Sequence, residues 1–277
     1  MAKIVFWSPD PGRGNTSNTL AIGTMIGQDY DIRTLITQTQ FRRPNLENAF
    51  MKAKELQFRN LVNTTTSGMD NLERLFKSKR LSADSISDHT ISLEAGRLDL
   101  LMGTKKSETH ENFPSIAGAI FDEADRYYQA VILDIHSGNN SSVSQQLIQD
   151  ADIVVITLSQ DTSVIESYVE QKDWPDNLQE KSKIILLGQY DKYSKYNVTN
   201  IKRNFKIDDP IYGLPYCSEF RDAINDKDVL NWFRRARNAG KRHPSYSFFQ
   251  EVRKISKDLL IQIGVNTEIK RIERGVS

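Results

Sequence analysis

With one cysteine in 277 residues, Cys217 has no partner for an internal disulfide, and four scattered histidines beside a lone thiol do not make a Cys/His zinc site. A reducing cytoplasm is the simplest compartment for such a chain. An excess of charge of one sign is also lacking. The 37 Lys and Arg stand against 36 Asp and Glu, a formal charge of +1, which excludes a uniformly basic nucleic-acid coat and an acidic tail protein. Any polyanion-binding surface must therefore be local. Long apolar runs are missing too. The longest, such as Ala130–Ile135 and Ile153–Leu158, fall far short of the about 20 residues that cross a bilayer. Residues 1–23 show no charged segment followed by a hydrophobic one, so no secretory signal is expected. No Gly/Ser-rich or Pro-rich linker, internal repeat or low-complexity tract divides the chain.

What is present is a 38% hydrophobic share, ample for a core, arranged as short apolar runs alternating with longer amphipathic stretches. That alternation predicts an α/β domain spanning 1–277, a mostly parallel sheet of about seven strands covered on both faces. Strands are expected at Lys3–Trp7, Arg33–Thr37, Asp99–Met102, Ala130–Asp134, Ile153–Leu158, Lys183–Leu187 and near Pro210–Leu214. Helices are expected at Thr16–Ile26, Asn45–Leu61, Asp70–Ser78, Ser115–Tyr128, Val143–Asp150, Val164–Lys172, Phe220–Ala236 and Ser247–Ile263. The polar stretches Ser82–Glu94 and Gly103–Asn112 read as surface loops, and Asn266–Ser277 as a solvated terminus.

The most informative stretch is KIVFWSPDPGRGNTSNTLAIGTMI, a buried strand running through a Pro/Gly turn into a helix. A phosphate-binding loop needs this context, because a helix N-terminus offers unpaired N–H groups and the positive end of its dipole. Gly12 and Gly14 allow the backbone to curl around a phosphate. Thr16 and Ser17 stand at the first helical turn, where one hydroxyl suits Mg²⁺ and both suit helix capping.

On these residues the chain resembles the ParA/MinD group of P-loop ATPases, whose deviant Walker A motif reads approximately G-K-G-G-x-G-K-T-T. The aligned stretch is Pro9-Asp10-Pro11-Gly12-Arg13-Gly14-Asn15-Thr16-Ser17. The resemblance places Asp10 where the group has the signature lysine that reaches across the dimer, and Asn15 where it has the lysine on the β/γ-phosphates. Arg13 is the cation left to offset phosphate charge. In YYQAVILDIHSGNN, Asp134 matches the Walker B aspartate that holds Mg²⁺ and Gly138 the glycine whose N–H meets the γ-phosphate, with His136 and Ser137 replacing two prolines. Thr37 and Thr39 stand where the group has the aspartates after strand two. A threonine is a poor base, so slow or absent hydrolysis is expected. By match, Tyr190, Pro215 and Tyr216 line the base pocket, while Gly188-Gln189 replaces the usual Asn-Arg pair.

Within the group the departures resemble the atypical TadZ/CpaE branch associated with Tad (Flp) pilus assembly, through G-x-G-N-T-S-N, T-Q-T-Q-F-x-x-x-N-L-E, D-I-H-S-G and L-S-Q-x-x-x-V-I-E. Many proteins of that branch carry an N-terminal receiver-like domain, for which a first strand at Lys3 leaves no room. The resemblance implies a three-layer α/β/α, SIMIBI-type fold. It also implies a cytoplasmic homodimer that binds ATP or ADP with Mg²⁺, recruited to the inner face of the membrane or the cell pole by pilus or secretion-system partners. Two alternatives stay open. One is a DNA-partition protein using the basic cluster Arg234, Arg235, Arg237, Lys241 and Arg242 on DNA phosphates. The other is a pseudo-ATPase scaffold without nucleotide.

Overall fold

The computed structural model describes residues 2–39, 45–51, 68–104, 113–139, 141–172, 174–265 and 267–268. Eight strands form one sheet: β1 (Ala2–Trp7), β2 (Thr34–Gln38), β3 (Ile91–Glu94), β4 (Leu98–Leu101), β5 (Ala130–Asp134), β6 (Ile153–Leu158), β7 (Lys183–Tyr190) and β8 (Ile211–Pro215). Their spatial order is β3-β4-β2-β5-β1-β6-β7-β8. All neighbours are parallel except β3 and β4. Side chains alternate between the faces of each strand, and every residue of β1, β5 and β6 is buried. Thus Ile4 and Phe6 enter one core with Ile132 and Val155, while Val5 and Trp7 enter the other with Leu133 and Ile156.

The first face is covered by α1 (Asn15–Asp29), α2 (Asn45–Phe50), α9 (Ser218–Asn225), α10 (Val229–Ala236) and α11 (Tyr246–Gln262). The second carries α3 (Met69–Lys77), α4 (Ala83–Asp88), α5 (Phe113–Tyr127), α6 (Ser142–Gln149), α7 (Thr162–Val169) and α8 (Val198–Asn204). The result is a three-layer α/β/α architecture. From β1 the chain steps one way to β2 and later the other way to β6, so a crevice opens beyond the carboxyl end of β1, where such sheets receive ligands.

Several expectations need correction. Ser82–Glu94 is not a loop. Ser82 caps α4 through a reciprocal bond with Ser85, and Ile91–Glu94 adds an eighth, antiparallel edge strand. The expected helix Phe220–Ala236 breaks into α9 and α10, because Lys227 turns left-handed (φ 60°) and the Asp228 N–H bonds back to the Ala223 carbonyl. Helix α8 was not anticipated, since Ile201 is its one fully buried residue. Residues 52–61 of the expected helix Asn45–Leu61, residues 105–112 and nearly all of the expected tail lie outside the described residues.

Candidate functional site

The loop after β1 occupies the crevice. Gly12 (φ 81°) and Gly14 (φ 90°) take left-handed conformations that suit glycine, and Gly14 is the N-cap of α1. Neither Thr16 nor Ser17 caps the helix, contrary to expectation: the first intrahelical bond runs from the Asn18 N–H to the Gly14 carbonyl (2.9 Å), with no side chain at the cap. The N–H groups of the first turn therefore face the crevice. Gly188, at the end of β7, touches this loop so closely that a Cβ there would sit 2.9 Å from the Arg13 carbonyl oxygen.

Asp134, fully buried at the end of β5, organises the floor. Its Oδ2 accepts from the Thr16 hydroxyl (2.6 Å) and its Oδ1 from the Asn15 amide (2.8 Å). Burial pushes its carboxyl up to about 6; the bonds from Thr16 and Asn15 and the proximity of His136 oppose that rise. Asn15 does not reach into the crevice as a phosphate-binding lysine would. It is 8% exposed, its Nδ2 also donates to the Phe6 carbonyl (2.9 Å), and its Oδ1 accepts from the Thr157 hydroxyl (2.9 Å). Asn18 Nδ2 lies 3.3 Å from the Thr157 oxygen and extends the network. Thr157 and Asn18 were not anticipated; a lone threonine in the run IVVITL was the available signal. Arg13 is held between Asp10 (3.3 Å) and Ser159 (3.4 Å).

A hydroxyl and a carboxylate at hydrogen-bond distance beside a helix N-terminus are hard oxygen donors that fit Mg²⁺, which keeps most of its water and needs few protein ligands. Among the described residues no group of three or more His, Cys, Asp or Glu could hold a metal ion.

The turn after β5 is braced on every side. The Gly138 N–H donates to the Ser8 carbonyl (2.9 Å), and the Gly138 carbonyl accepts from the Trp7 indole (3.0 Å). His136 Nδ1 lies 3.2 Å from the Thr39 hydroxyl, and the His136 carbonyl accepts from Ser144 (3.3 Å). Thr37 is buried with its hydroxyl unpartnered. Among the described residues the carboxyl end of β2 carries the neutral hydroxyls of Thr37 and Thr39 and no carboxylate.

Beside the loop, a cleft enclosing about 460 Å³, open solvent included, runs between the ends of β7 and β8 and helices α9 and α11. Leu214, Phe220, Ile224 and Phe248 give it an apolar wall; Ser17, Asn18, Gln189 and Arg221 add polar groups. Pro215 and Tyr216 line it, and Tyr216 is half exposed. Tyr190 does not line the cleft. The β7–β8 register shifts between Leu187 and Tyr190, Gln189 turns left-handed (φ 52°), and the Tyr190 ring lies against Gly213 with its hydroxyl accepting from the Val198 N–H (3.2 Å).

Three arginines of the basic cluster are paired with carboxylates. Arg234 pairs with Glu94 (2.8 Å), Arg235 with Asp228 (3.1 Å), and Arg237 with the buried Asp29 (2.5 Å), which Arg253 also meets (2.8 Å). Lys241 and Arg242 remain exposed. Trp232 and Phe233 beside them are core residues. Exposed cations without a carboxylate partner among the described residues lie instead along Lys192, Lys195, Lys202, Arg203 and Lys206, on the loop before α8 and around it.

A strand–glycine turn–helix at the switch point of a mostly parallel three-layer sheet defines the P-loop class of α/β fold. Comparison with solved structures narrows it: the chain has the fold of the ParA/MinD-type ATPases. A ParA family ATPase from Chlorobium tepidum TLS superimposes with a TM-score of 0.70 at 14% identity, covering 92% of this chain and 98% of that one. A variant of Cyanothece McdA in complex with ATP gives 0.67 at 13% identity over 98% and 99% of the two chains. The septum site-determining protein MinD from Pyrococcus horikoshii OT3, complexed with Mg-ADP, gives 0.64 at 11% identity over 94% and 98%. At the level of sequence, no family model and no curated protein matches the chain. Among the described residues no helix is long and apolar enough to cross a membrane.

Proposed function

We propose that this protein is a nucleotide-binding switch of ParA/MinD-like fold that hydrolyses its nucleotide slowly or not at all. The observation that carries this reading is the Thr16–Asp134 pair, 2.6 Å apart at the start of α1 and the end of β5, beside a cleft lined by Gly14, Ser17, Pro215 and Tyr216. The nucleotide is ATP or ADP with Mg²⁺: first-turn N–H groups of α1 receive phosphate, and Thr16 and Asp134 hold the metal. When bound, the metal neutralises phosphate charge. The protein's own residues orient the phosphates by backbone and bury the base between β8 and α9. With Thr37 and Thr39 in place of carboxylates, no described side chain at the end of β2 has the basicity to activate water. Occupancy, not turnover, is then what alters the surface. Similarity to the TadZ/CpaE branch supports a homodimer that recruits pilus or secretion components at the inner membrane face or cell pole.

Calorimetric titration of nucleotide with and without Mg²⁺ tests the reading. Wild type should bind in a Mg²⁺-dependent manner, and Asp134→Asn should lose the metal dependence. No heat at millimolar nucleotide with folded protein would remove it in favour of the empty scaffold.

One observation favours a second reading. Lys192, Lys195, Lys202, Arg203 and Lys206 have no carboxylate partner among the described residues, unlike Arg234, Arg235 and Arg237, and they could hold DNA nonspecifically as a partition protein requires.

A further inference from the structure

From the bracing of the turn after β5 we infer that the site does not distinguish a nucleoside triphosphate from the diphosphate; this rests on the nucleotide reading above and sharpens its ligand class. In a P-loop the backbone N–H groups cradle the inner phosphates and the lysine reaches the outer ones. Here the inner cradle is intact: Gly12 and Gly14 hold the turn open and the first-turn N–H groups of α1 face the crevice.

The groups that could meet an outermost phosphate are occupied elsewhere. The amide of Asn15 is turned into the protein and bonded to Phe6, Asp134 and Thr157. The guanidinium of Arg13 lies against the carboxylate of Asp10. Asp10 thus already takes the charge that Arg13 would offer to an outermost phosphate.

Nor is the turn between His136 and Asn139 poised to close over a terminal phosphate. Gly138 is tied through both its N–H and its carbonyl to the end of β1. Gln145 Nε2 donates to the Asn139 backbone and side-chain oxygens (3.1 Å each), and Asn139 Nδ2 donates to the Trp174 carbonyl (3.1 Å). Gly138, with its N–H and carbonyl already bonded, gains little by moving to a phosphate, because a new bond there replaces one that must first be broken. The device answers to whether nucleotide is present, not to how many phosphates it carries.

The test is calorimetric titration of the full chain with Mg-ADP and, separately, with Mg-ATP, followed by hydrogen exchange of residues 136–139 in each complex. The dissociation constants should agree within about fivefold, and amide protection in the turn should be the same with either nucleotide. A triphosphate preference beyond about fivefold, or turn protection seen with ATP alone, overturns the inference and leaves the nucleotide-binding reading standing. Absence of binding by both nucleotides overturns that reading as well. A third arm uses Gln145→Ala, which loosens the turn at its outer end and touches neither the loop nor the cleft. It should create an ATP preference that wild type lacks, and an unchanged ratio would show that the bracing does not govern the selection.

Discussion

Replacing Asn15 by alanine removes an amide whose three hydrogen bonds are all internal: to the Phe6 carbonyl at 2.9 Å, to Asp134 at 2.8 Å and from Thr157 at 2.9 Å. Each buried bond contributes about 1 kcal/mol net, and one to a charged group about 1.5–3 kcal/mol. Left behind would be a Phe6 carbonyl that keeps the Ile135 N–H, a Thr157 hydroxyl that keeps Asn18, and an Asp134 oxygen that has lost its donor. The expected loss of stability is therefore about 3–5 kcal/mol. The alanine variant should also raise the carboxyl of Asp134 above its value of about 6, since one of its two donors is gone. Asn15→Lys behaves differently. Its ammonium can remain on Asp134 as an ion pair or turn toward a phosphate, so it should lose less stability than the alanine and bind nucleotide about tenfold more tightly than wild type. Urea unfolding followed by tryptophan fluorescence reports the first quantity, with Trp7 buried in β1, and calorimetric titration the second. An alanine variant within about 1 kcal/mol of wild type would refute the view that this residue serves the fold. Unchanged nucleotide affinity in the lysine variant would argue against a phosphate site at the loop.

Asp134 also predicts a pH dependence. Its folded value of about 6 lies above the ordinary 3.8, so the folded state holds the proton more tightly; the contribution is full below pH 3.8 and is lost as pH rises through 6. Two units correspond to roughly 3 kcal/mol, so Asp134→Asn should stabilise the protein by about 1–3 kcal/mol at pH 8 and little at pH 4. The Thr16 hydroxyl can reverse and accept from the new amide, which keeps the packing intact. Parallel unfolding-versus-pH profiles for the two proteins would contradict the assignment. Gly188→Ala should destabilise by about 1–3 kcal/mol and weaken nucleotide binding, because its Cβ would press on the Arg13 carbonyl at 2.9 Å; an unaltered titration curve would show that the loop gives way freely. In a DNA-retention assay, Lys202→Glu with Arg203→Glu should reduce salt-sensitive binding more than Arg234→Glu with Arg235→Glu, whose charges are already paired. The reverse order would return the interface to α10.

How far the sequence was legible depended on burial. Strands β1, β5 and β6 are enclosed on both faces, so their residues form unbroken apolar runs that can be read directly. Strand β3 is an edge, half exposed and interrupted by a bulge, and its residues Ile91–Glu94 carry too little pattern to separate from a loop. Helix α8 was invisible for a related reason: one buried residue in seven makes no periodicity. The break between α9 and α10 rests on the left-handed Lys227, a conformation that lysine does not advertise.

The site divides along the same line. That Gly12 and Gly14 form a turn from strand into helix and that Thr16 and Asp134 come together follow from order along the chain, because a strand–turn–helix unit is local and the parallel fold brings the ends of β1 and β5 together. The sequence by itself therefore determined the class of fold, the place of the crevice and the absence of lysine from the loop. Whether Asn15 left an empty slot or filled it, whether Gly138 was free or tied to Ser8, and whether the arginines of α10 were available or paired with Glu94, Asp228 and Asp29 were decided only by tertiary structure. Each depends on a partner far away in sequence, and a side chain's chemistry is set by the partner it meets.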